Sequence, residues 1–363
     1  MNLSIKTKVR AIALYLPQYH PTIENDTWWS KGFTEWRTVT KAKPLYPGHN
    51  QPKYPADLGY YDLRVPETRQ AQADLAKAHG VEAFCYYHYW FDGRRMLERP
   101  FEEVLRSGKP DFPFCLCWAN ESWTGVWAGK PKNILIEQNY PGPADSEKHF
   151  NYLLPAFRDH RYVKINEKPV FFIYRPMQIK DRERLIDQWR QLAAKAGLAG
   201  IYLIGINHRM VPWDHRSHGF DASIANRLPD TRPWISKRDP KRWIKYKLQE
   251  LLNRPTVHRY DEAMAEPIID EVPGATVFPT VLPNWDTTAR HGARGNVLSG
   301  STPELFRQQV AKAVKILHDK PFEERLMIIK SWNEWSEGNY LEPDLEFGNG
   351  YLEALRNEIK LAN

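Results

Sequence analysis

Short apolar runs recur along the chain, and amphipathic segments separate them. Within each run the apolar residues are continuous rather than alternating, which is typical of strands buried on both faces of a parallel sheet. Eight runs are predicted to be strands, at residues 11–16, 83–90, 112–118, 170–174, 201–206, 222–225, 276–282 and 326–331.

Three of the intervening segments have the pattern of helices, at residues 66–79, 181–196 and 302–318. Pro66 suits the first turn of a helix, and Gly80 and Gly197 follow the first two segments as helix stops. Between the fifth and sixth runs no helix is evident. The alternation of strands and helices indicates an α/β fold.

Eight strands alternating with helices predict a single (β/α)8 TIM-type barrel, formed as one domain by residues 1–363. An open doubly wound sheet is the alternative, because strands are easily miscounted from one sequence. Polar and aromatic residues follow nearly every run but are not enriched where the runs begin. In a barrel they would converge on the carboxyl-terminal rim, where long loops would form an aromatic-rich cleft.

The composition supports a globular protein with such a cleft. Hydrophobic residues make up 42% and charged residues 26% of the chain, which excludes a disordered protein. The 14 Trp and 18 Tyr are too many for the core of so polar a chain, and clefts rich in aromatic residues commonly stack sugars. No apolar run approaches the roughly 18 residues of a membrane helix.

Charge and targeting signals narrow the partners. The net charge is +7. Residues 232–259 contain nine Lys or Arg and only two acidic residues, Asp239 and Glu250. This segment is either a solvated helix face or a surface for anionic lipid or a diphosphate-linked substrate. No nucleic-acid-binding motif accompanies it. Because residues 1–16 lack the pattern of a signal peptide, we expect a cytoplasmic protein, with peripheral contact at the inner membrane face as an option.

Cysteine and metal chemistry have little support in the sequence. Cys85, Cys115 and Cys117 are an odd number within apolar runs, so we expect buried thiols and no disulfides. No histidine pair has the spacing of a metal site, and no Gly-rich nucleotide-binding motif is present. We therefore predict no metal and no cofactor.

The strongest chemical signal is the segment from Ser331 to Gly338, which follows the eighth run. It contains two carboxylates three residues apart, Glu334 and Glu337, among tryptophans. Two carboxyl groups in one partly desolvated pocket repel each other, so one pKa rises while the other group stays ionised. Such a pair can act as acid and base.

A second segment, Trp118-Ala119-Asn120-Glu121-Ser122-Trp123, places an amide and a carboxylate between two indoles after the third run. Indole faces stack on sugar rings, and carboxylate or amide groups hold hydroxyls. Core packing would explain the tryptophans alone. The combination predicts a sugar-binding site beside the carboxylate pair.

Long blocks of the sequence resemble the WbsX-type family of lipopolysaccharide and O-antigen biosynthesis, which is similar to glycoside hydrolase family 99. The blocks that carry the resemblance are Leu16-Pro17-Gln18-Tyr19-His20-Pro21, Asn25-Asp26-Thr27-Trp28-Trp29, Gly32-Phe33-Thr34-Glu35-Trp36, Phe84-Cys85-Tyr86-Tyr87-His88-Tyr89-Trp90, Cys115-Leu116-Cys117-Trp118-Ala119-Asn120-Glu121 and Trp332-Asn333-Glu334-Trp335-Ser336-Glu337-Gly338.

The resemblance implies a metal-independent (β/α)8 enzyme that cleaves α-mannosidic bonds with retention. Glu334 would be the base on the substrate 2-hydroxyl, which attacks the anomeric carbon to give a 1,2-anhydro sugar. Glu337 would be the acid on the leaving oxygen. Ser336 stands where family 99 usually has histidine. The residues we expect to bind the sugar are Tyr19, His20, Trp36, His88, Trp90, Trp118, Asn120, Glu121, Trp123, Arg175, Asn207, His208, Trp285, Asp286, Asn333 and Trp335.

The sequence thus predicts an enzyme of bacterial surface-polysaccharide metabolism that breaks or transfers α-manno-configured bonds of mannose or rhamnose. The partner would be a free oligosaccharide or a lipid-linked glycan. A nucleotide-sugar-dependent glycosyltransferase is the alternative. A non-catalytic glycan-binding subunit is a further one.

Overall fold

The structure is a computed structural model. It describes residues 6–125, 130–208, 212–225, 244, 247–249, 251–264, 268–270 and 272–361. The strands are Arg10–Tyr15 (β1), Val81–Phe91 (β2), Arg94–Met96 (β3), Phe114–Trp118 (β4), Trp123–Gly125 (β5), Lys130–Ile136 (β6), Lys164–Ile165 (β7), Lys168–Ile173 (β8), Tyr202–Asn207 (β9), Ala222–Ala225 (β10), Thr256–Arg259 (β11), Val277–Phe278 (β12), Thr280–Val281 (β13), Asn296–Ser299 (β14), Leu326–Ile329 (β15), Asn333–Glu334 (β16) and Asn339–Tyr340 (β17).

Nine parallel strands form a sheet that is nearly closed into a barrel. Their order is β12-β10-β9-β8-β4-β2-β1-β15-β13. The two end strands are consecutive along the chain, and only Pro279 separates them. Because β12 pairs with β10 and β13 pairs with β15, this interrupted strand joins the two ends of the sheet. The predicted barrel is therefore confirmed.

Helices cover the barrel and lead into its loops. For example, Trp189 of one helix packs on Phe171 of β8, with 5.2 Å between the ring centroids. The helices are Ile23–Trp28 (α1), Glu35–Lys41 (α2), Pro66–Ala78 (α3), Arg99–Ser107 (α4), Pro143–Arg158 (α5), Arg182–Lys195 (α6), Tyr260–Ala263 (α7), Thr288–His291 (α8), Pro303–Leu317 (α9) and Gly350–Ile359 (α10).

Observed elements follow the predicted ones closely, with one correction among the strands. Residues 276–282 do not form one strand, because Pro279 lacks an N–H group and interrupts the ladder. The three predicted helices are confirmed as α3, α6 and α9 to within one residue at each end. Between β9 and β10 the described residues contain only a 3₁₀ turn, at His215–His218.

The predictions for the cysteines and for the basic segment have different outcomes. Cys85, Cys115 and Cys117 are buried free thiols, as expected. Most of the basic segment 232–259, including Trp234 and Trp243, lies outside the described residues. Within the described part of the chain, the helices are too short or too polar to cross a membrane.

Candidate active site

One buried arginine joins three carboxylates at the carboxyl-terminal rim of the barrel. The guanidinium of Arg290 donates to Glu337 Oε1 over 2.5 Å and to Glu334 Oε1 over 2.6 Å. Its second terminal nitrogen also lies 3.3 Å from Glu35 Oε2. The side chain of Arg290 is 8% exposed and that of Glu35 is 1% exposed. The predicted carboxylate pair is thus held at adjacent nitrogens of one rigid fork.

The backbone around the pair is fixed by short-range contacts. The Ser331 hydroxyl accepts from the Glu334 amide, and residues Trp335–Glu337 form a 3₁₀ turn. Gly338 ends this turn with φ +51°, and a Cβ there would lie 2.8 Å from Asp286 Cβ. Only glycine suits both the backbone angle and the close approach. The turn sets Glu337 beside Glu334.

The buried carboxylates and the buried arginine of this cluster differ in how firmly they keep their charge. Burial raises the pKa of Glu334 well above its usual range, and the nearby Glu337 and Glu35 carboxylates add to the rise against the influence of Arg290. For Arg290 burial acts against the charge, but the three carboxylates together raise its pKa. Arg290 is therefore permanently charged, while Glu334 can take up a proton.

A cavity of about 360 Å³ opens above this cluster. Aromatic rings and charged groups share its wall. The residues that line it are Leu16, Gln18, Trp29, Tyr87, Tyr89, Ala119, Glu121, Ser122, Trp123, Thr124, Leu135, Tyr174, Arg290, Lys330, Ser331, Glu334, Glu337 and Asn339. The size falls in the range of small-molecule pockets, roughly 300–1,000 Å³.

A lysine completes the charged part of this cavity. Lys330 follows β15 directly, is 7% exposed and lines the cavity. Burial lowers its pKa, while the Glu337 carboxylate acts in the opposite direction. No carboxylate of the described residues lies within ion-pairing distance of its ammonium group. Lys330 is therefore a donor available to a ligand in the cavity.

Four of the predicted site residues line the cavity: Glu334, Glu337, Glu121 and Trp123. Glu121 accepts from Arg175 Nε over 2.6 Å. The rim segment after β4 therefore contributes a carboxylate and an indole to the cavity wall, as its sequence suggested.

Four others lie beneath the loop that carries the pair and do not line the cavity. The Tyr19 hydroxyl bonds to the Asn333 carbonyl and to the Trp335 amide at 3.1 Å. Asn333 pairs with the backbone of Leu16, and Trp36 donates to the Tyr61 carbonyl over 2.7 Å. These side chains are saturated by protein groups. They position the loop rather than contact a ligand.

Three predicted residues face away from this cavity, toward α5. The rings of His88 and Trp90 stack on His149, with centroids 5.0 and 4.7 Å apart, and Trp118 meets it edge-on at 4.8 Å. Burial lowers the pKa of His88 to about 3. Trp118 and His149 line a second cavity, of about 720 Å³.

Other predicted residues hold strand ends together. Asn120 bonds to the backbone of Arg175 in both directions, at 2.7 and 3.0 Å. Asn207 donates to Asp270 over 2.6 Å, and His208 bonds to the Tyr174 carbonyl at 2.7 Å. The Asn120 and His208 contacts join the ends of neighbouring strands, and the Asn207 contact ties the end of β9 to residue 270 before β12. His20 is buried, and burial lowers its pKa to about 4.

The last predicted pair lies behind Arg290. Trp285 belongs to a small apolar cluster with Tyr260. Asp286 accepts from Gln51 at 2.7 Å and from the Thr288 amide at 2.9 Å, and it contacts His49 Nε2 at 2.8 Å. Thr288 begins α8, the helix that carries Arg290. Asp286 thus positions the arginine.

Sequence reasoning missed several cavity residues. Tyr87 and Tyr89 line the cavity from β2, whereas the residues predicted from this strand are their neighbours His88 and Trp90. Alternate residues of a strand face opposite sides, so the choice of one pair excludes the other from the cavity. Arg290 lies in α8, a helix of only four residues, and no local sequence pattern marks it as a site residue.

A nearly closed parallel barrel, with a carboxylate pair and aromatic walls at its carboxyl-terminal rim, defines a TIM-barrel protein of the carbohydrate-active class. Comparison with known proteins supports this class and identifies the family. A family model described as glycosyltransferase WbsX matches residues 11–355. The chain belongs to the WbsX glycosyltransferase family, which confirms the resemblance noted in the sequence.

Two similar proteins are longer than this chain. Proteins described as uncharacterized protein WxcX, from two strains of Xanthomonas campestris pathovar campestris, are 35% identical over 359 residues. The alignment covers 97% of this chain and 50% of each relative. The chain therefore spans about half the length of these curated relatives.

Solved structures share the fold at low sequence identity. A glycoside hydrolase-like protein has a TM-score of 0.64 with 15% identity and covers 99% of this chain and 96% of its own. A family 99 endo-α-mannosidase from Bacteroides thetaiotaomicron has a TM-score of 0.57 with 15% identity and covers 96% and 95%. At this identity the likeness shows the fold.

Proposed function

We propose that this protein is a retaining glycosidase or transglycosidase of bacterial surface-polysaccharide metabolism, acting on α-manno-configured bonds of mannose or rhamnose. The observation that carries the proposal is that Arg290 forms hydrogen bonds to both Glu334 and Glu337 at the cavity floor. The guanidinium holds the two carboxyl groups side by side, so both can act on one bound sugar.

The contacts of Arg290 leave half of each carboxylate for the reaction. The guanidinium bonds to Oε1 of both glutamates, and among the described residues Oε2 of each has no hydrogen bond. Substrate would meet these two oxygens. The raised pKa of Glu334 suits a base, because a general base works best when its pKa approaches the working pH.

In the proposed reaction, Glu334 takes the proton of the substrate 2-hydroxyl. The O2 atom attacks the anomeric carbon as the glycosidic bond breaks, and Glu337 gives its proton to the leaving oxygen. Water or an acceptor hydroxyl then opens the 1,2-anhydro sugar, with Glu337 as base and Glu334 returning the proton. Two inversions give net retention.

A nucleotide-sugar-dependent transferase is the second candidate, because the family model bears the description glycosyltransferase. Lys330 and Arg290 both line the cavity, and cations of this kind can stabilise a diphosphate leaving group. The two candidates differ in whether a nucleotide sugar is needed.

Mass spectrometry of α-mannoside and α-rhamnoside oligosaccharides, free and lipid-linked, tests the proposal. Each incubation runs with and without nucleotide sugars, with Glu337→Gln beside Glu167→Gln, a control at a carboxylate that is 82% exposed. We expect shortened or redistributed chains without nucleotide, lost only in Glu337→Gln. Chains that lengthen only with a nucleotide sugar would establish the transferase. Binding without any turnover would indicate a glycan-binding subunit.

A further inference from the structure

An apolar stripe lies exposed in the segment that follows β10. Ile244, Leu248, Leu251 and Leu252 are 52%, 51%, 81% and 59% exposed. Among the described residues fourteen large hydrophobic side chains are exposed, and these four fall within nine positions. The concentration distinguishes the 244–252 stripe from the scattered apolar residues that any surface carries.

The spacing of the stripe is that of one face of a helix. Ile244, residues 247–249 and Leu251 are helical. The four apolar positions lie 0, 4, 7 and 8 residues from the first, which places them within an arc of about 100° at 3.6 residues per turn. Such a face normally packs on a core, but this one points outward.

The charge around the stripe indicates its partner. In residues 241–254 the sequence has five basic residues and one acidic residue, Glu250. Lysine is depleted at the centres of protein interfaces. An apolar helical face flanked by Lys and Arg is instead the pattern of helices that lie in a membrane interface. The basic residues are Lys247 and Arg254, which the structure describes, and Lys241, Arg242 and Lys245, which are known from the sequence alone.

We propose that the 244–252 stripe binds an anionic lipid bilayer surface. The apolar side chains would enter the boundary between headgroups and acyl chains, and the basic residues would contact anionic headgroups. In the sequence the stripe follows β10, which ends at Ala225. This inference does not depend on the proposed reaction.

Vesicle flotation of the full chain, without any substrate, tests the proposal. Vesicles containing phosphatidylglycerol are compared with pure phosphatidylcholine vesicles. The variants are the double substitution Leu248→Glu with Leu251→Glu, and Leu345→Glu as a matched control that is 72% exposed elsewhere. We expect the wild type and the control to float with anionic vesicles only. The double variant should lose about tenfold or more of its bound fraction.

Raised salt should weaken binding of the wild type, because headgroup attraction is screened. The proposal is overturned if the wild type does not float, if it binds neutral vesicles equally, or if the double variant floats as well as the control. It is also overturned if the double substitution changes the oligomeric state in size-exclusion chromatography and leaves flotation unchanged. The stripe would then be covered by protein. Circular dichroism of both variants confirms that each is folded.

Discussion

The Glu334–Glu337 pair and Glu342 lie near the same rim of the barrel but have opposite surroundings. Glu334 and Glu337 share a cation, Arg290, and line an open cavity. Glu342, eight residues beyond Glu334, is fully enclosed by neutral donors: Trp335 Nε1 and Gln72 Nε2 at 2.7 Å and the Tyr61 hydroxyl at 2.9 Å.

The difference teaches how to tell a reactive carboxylate from a structural one. Burial is the main cause that raises the pKa of both Glu334 and Glu342, the latter to about 7. What separates them is access, because only Glu334 has an oxygen that the protein leaves for a ligand. A raised pKa therefore marks a candidate, and the cavity decides its role.

The largest effect should come from Glu337→Gln. Loss of the proposed acid should lower kcat by about 10³-fold, within the usual range for general acid catalysis. The unfolding midpoint should stay within the range of the Glu167→Gln control. Turnover above a tenth of the wild-type rate would remove Glu337 from the reaction.

Arg290→Met should destabilise the protein. Removing the cation leaves Glu35, Glu334 and Glu337 together without their shared partner, and breaking a buried ion pair costs about 3–5 kcal/mol. Urea unfolding at pH 7 measures the loss. It should be smaller at pH 5, because burial raises the pKa of Glu334 and its protonation removes an unpaired charge, and smaller in Arg290→Lys. A loss under about 1 kcal/mol at pH 7 would show that the cluster is not held by charge.

The enclosed carboxylate gives a prediction about pH. Since burial raises the pKa of Glu342 to about 7 in the folded state, from about 4.3 when unfolded, its contribution to stability is present below pH 4 and is lost as pH rises through 7. Glu342→Gln removes this dependence. The unfolding free energy of the variant minus that of the wild type should therefore rise by up to about 3 kcal/mol from pH 5 to pH 8. A constant difference across this range would contradict the raised pKa.

The smallest effect compares the two faces of β2. Tyr89→Phe removes a hydroxyl from the cavity wall and should lower kcat/KM about tenfold or less, with stability unchanged. His88→Phe removes the 2.8 Å contact with His149 and should reduce stability by about 1–2 kcal/mol with kcat/KM unchanged. The opposite pattern, from activity assays and urea unfolding of both variants, would mean that the strand faces are assigned wrongly.

The fold was predictable because each barrel strand is continuously apolar and each main helix has its own stop signals. The same continuity hid the orientation of the rim residues. In β2 both faces are buried, so hydrophobicity could not tell Tyr87 and Tyr89, which line the cavity, from His88 and Trp90. Strand alternation shows that only one of these two pairs can face the cavity. Which pair faces it depends on how β2 is placed in the barrel.

The carboxylate pair was predictable from its spacing and neighbours, and its countercharge was not. Arg290 is 44 residues from Glu334 along the chain, and the Asp286 carboxylate accepts from the Thr288 amide at the start of the helix that carries it. A contact of this kind depends on how the loops that follow β13 and β15 pack against each other. No local sequence pattern records that packing.

The most direct test of the central claim is ¹H NMR of the first sugar released from an α-mannoside or α-rhamnoside oligosaccharide, recorded before mutarotation and with no nucleotide present. Retention by the Glu334–Glu337 pair predicts that the α-anomer appears first and that Glu337→Gln abolishes it. Initial release of the β-anomer, or product formation only when a nucleotide sugar is added, would contradict the account.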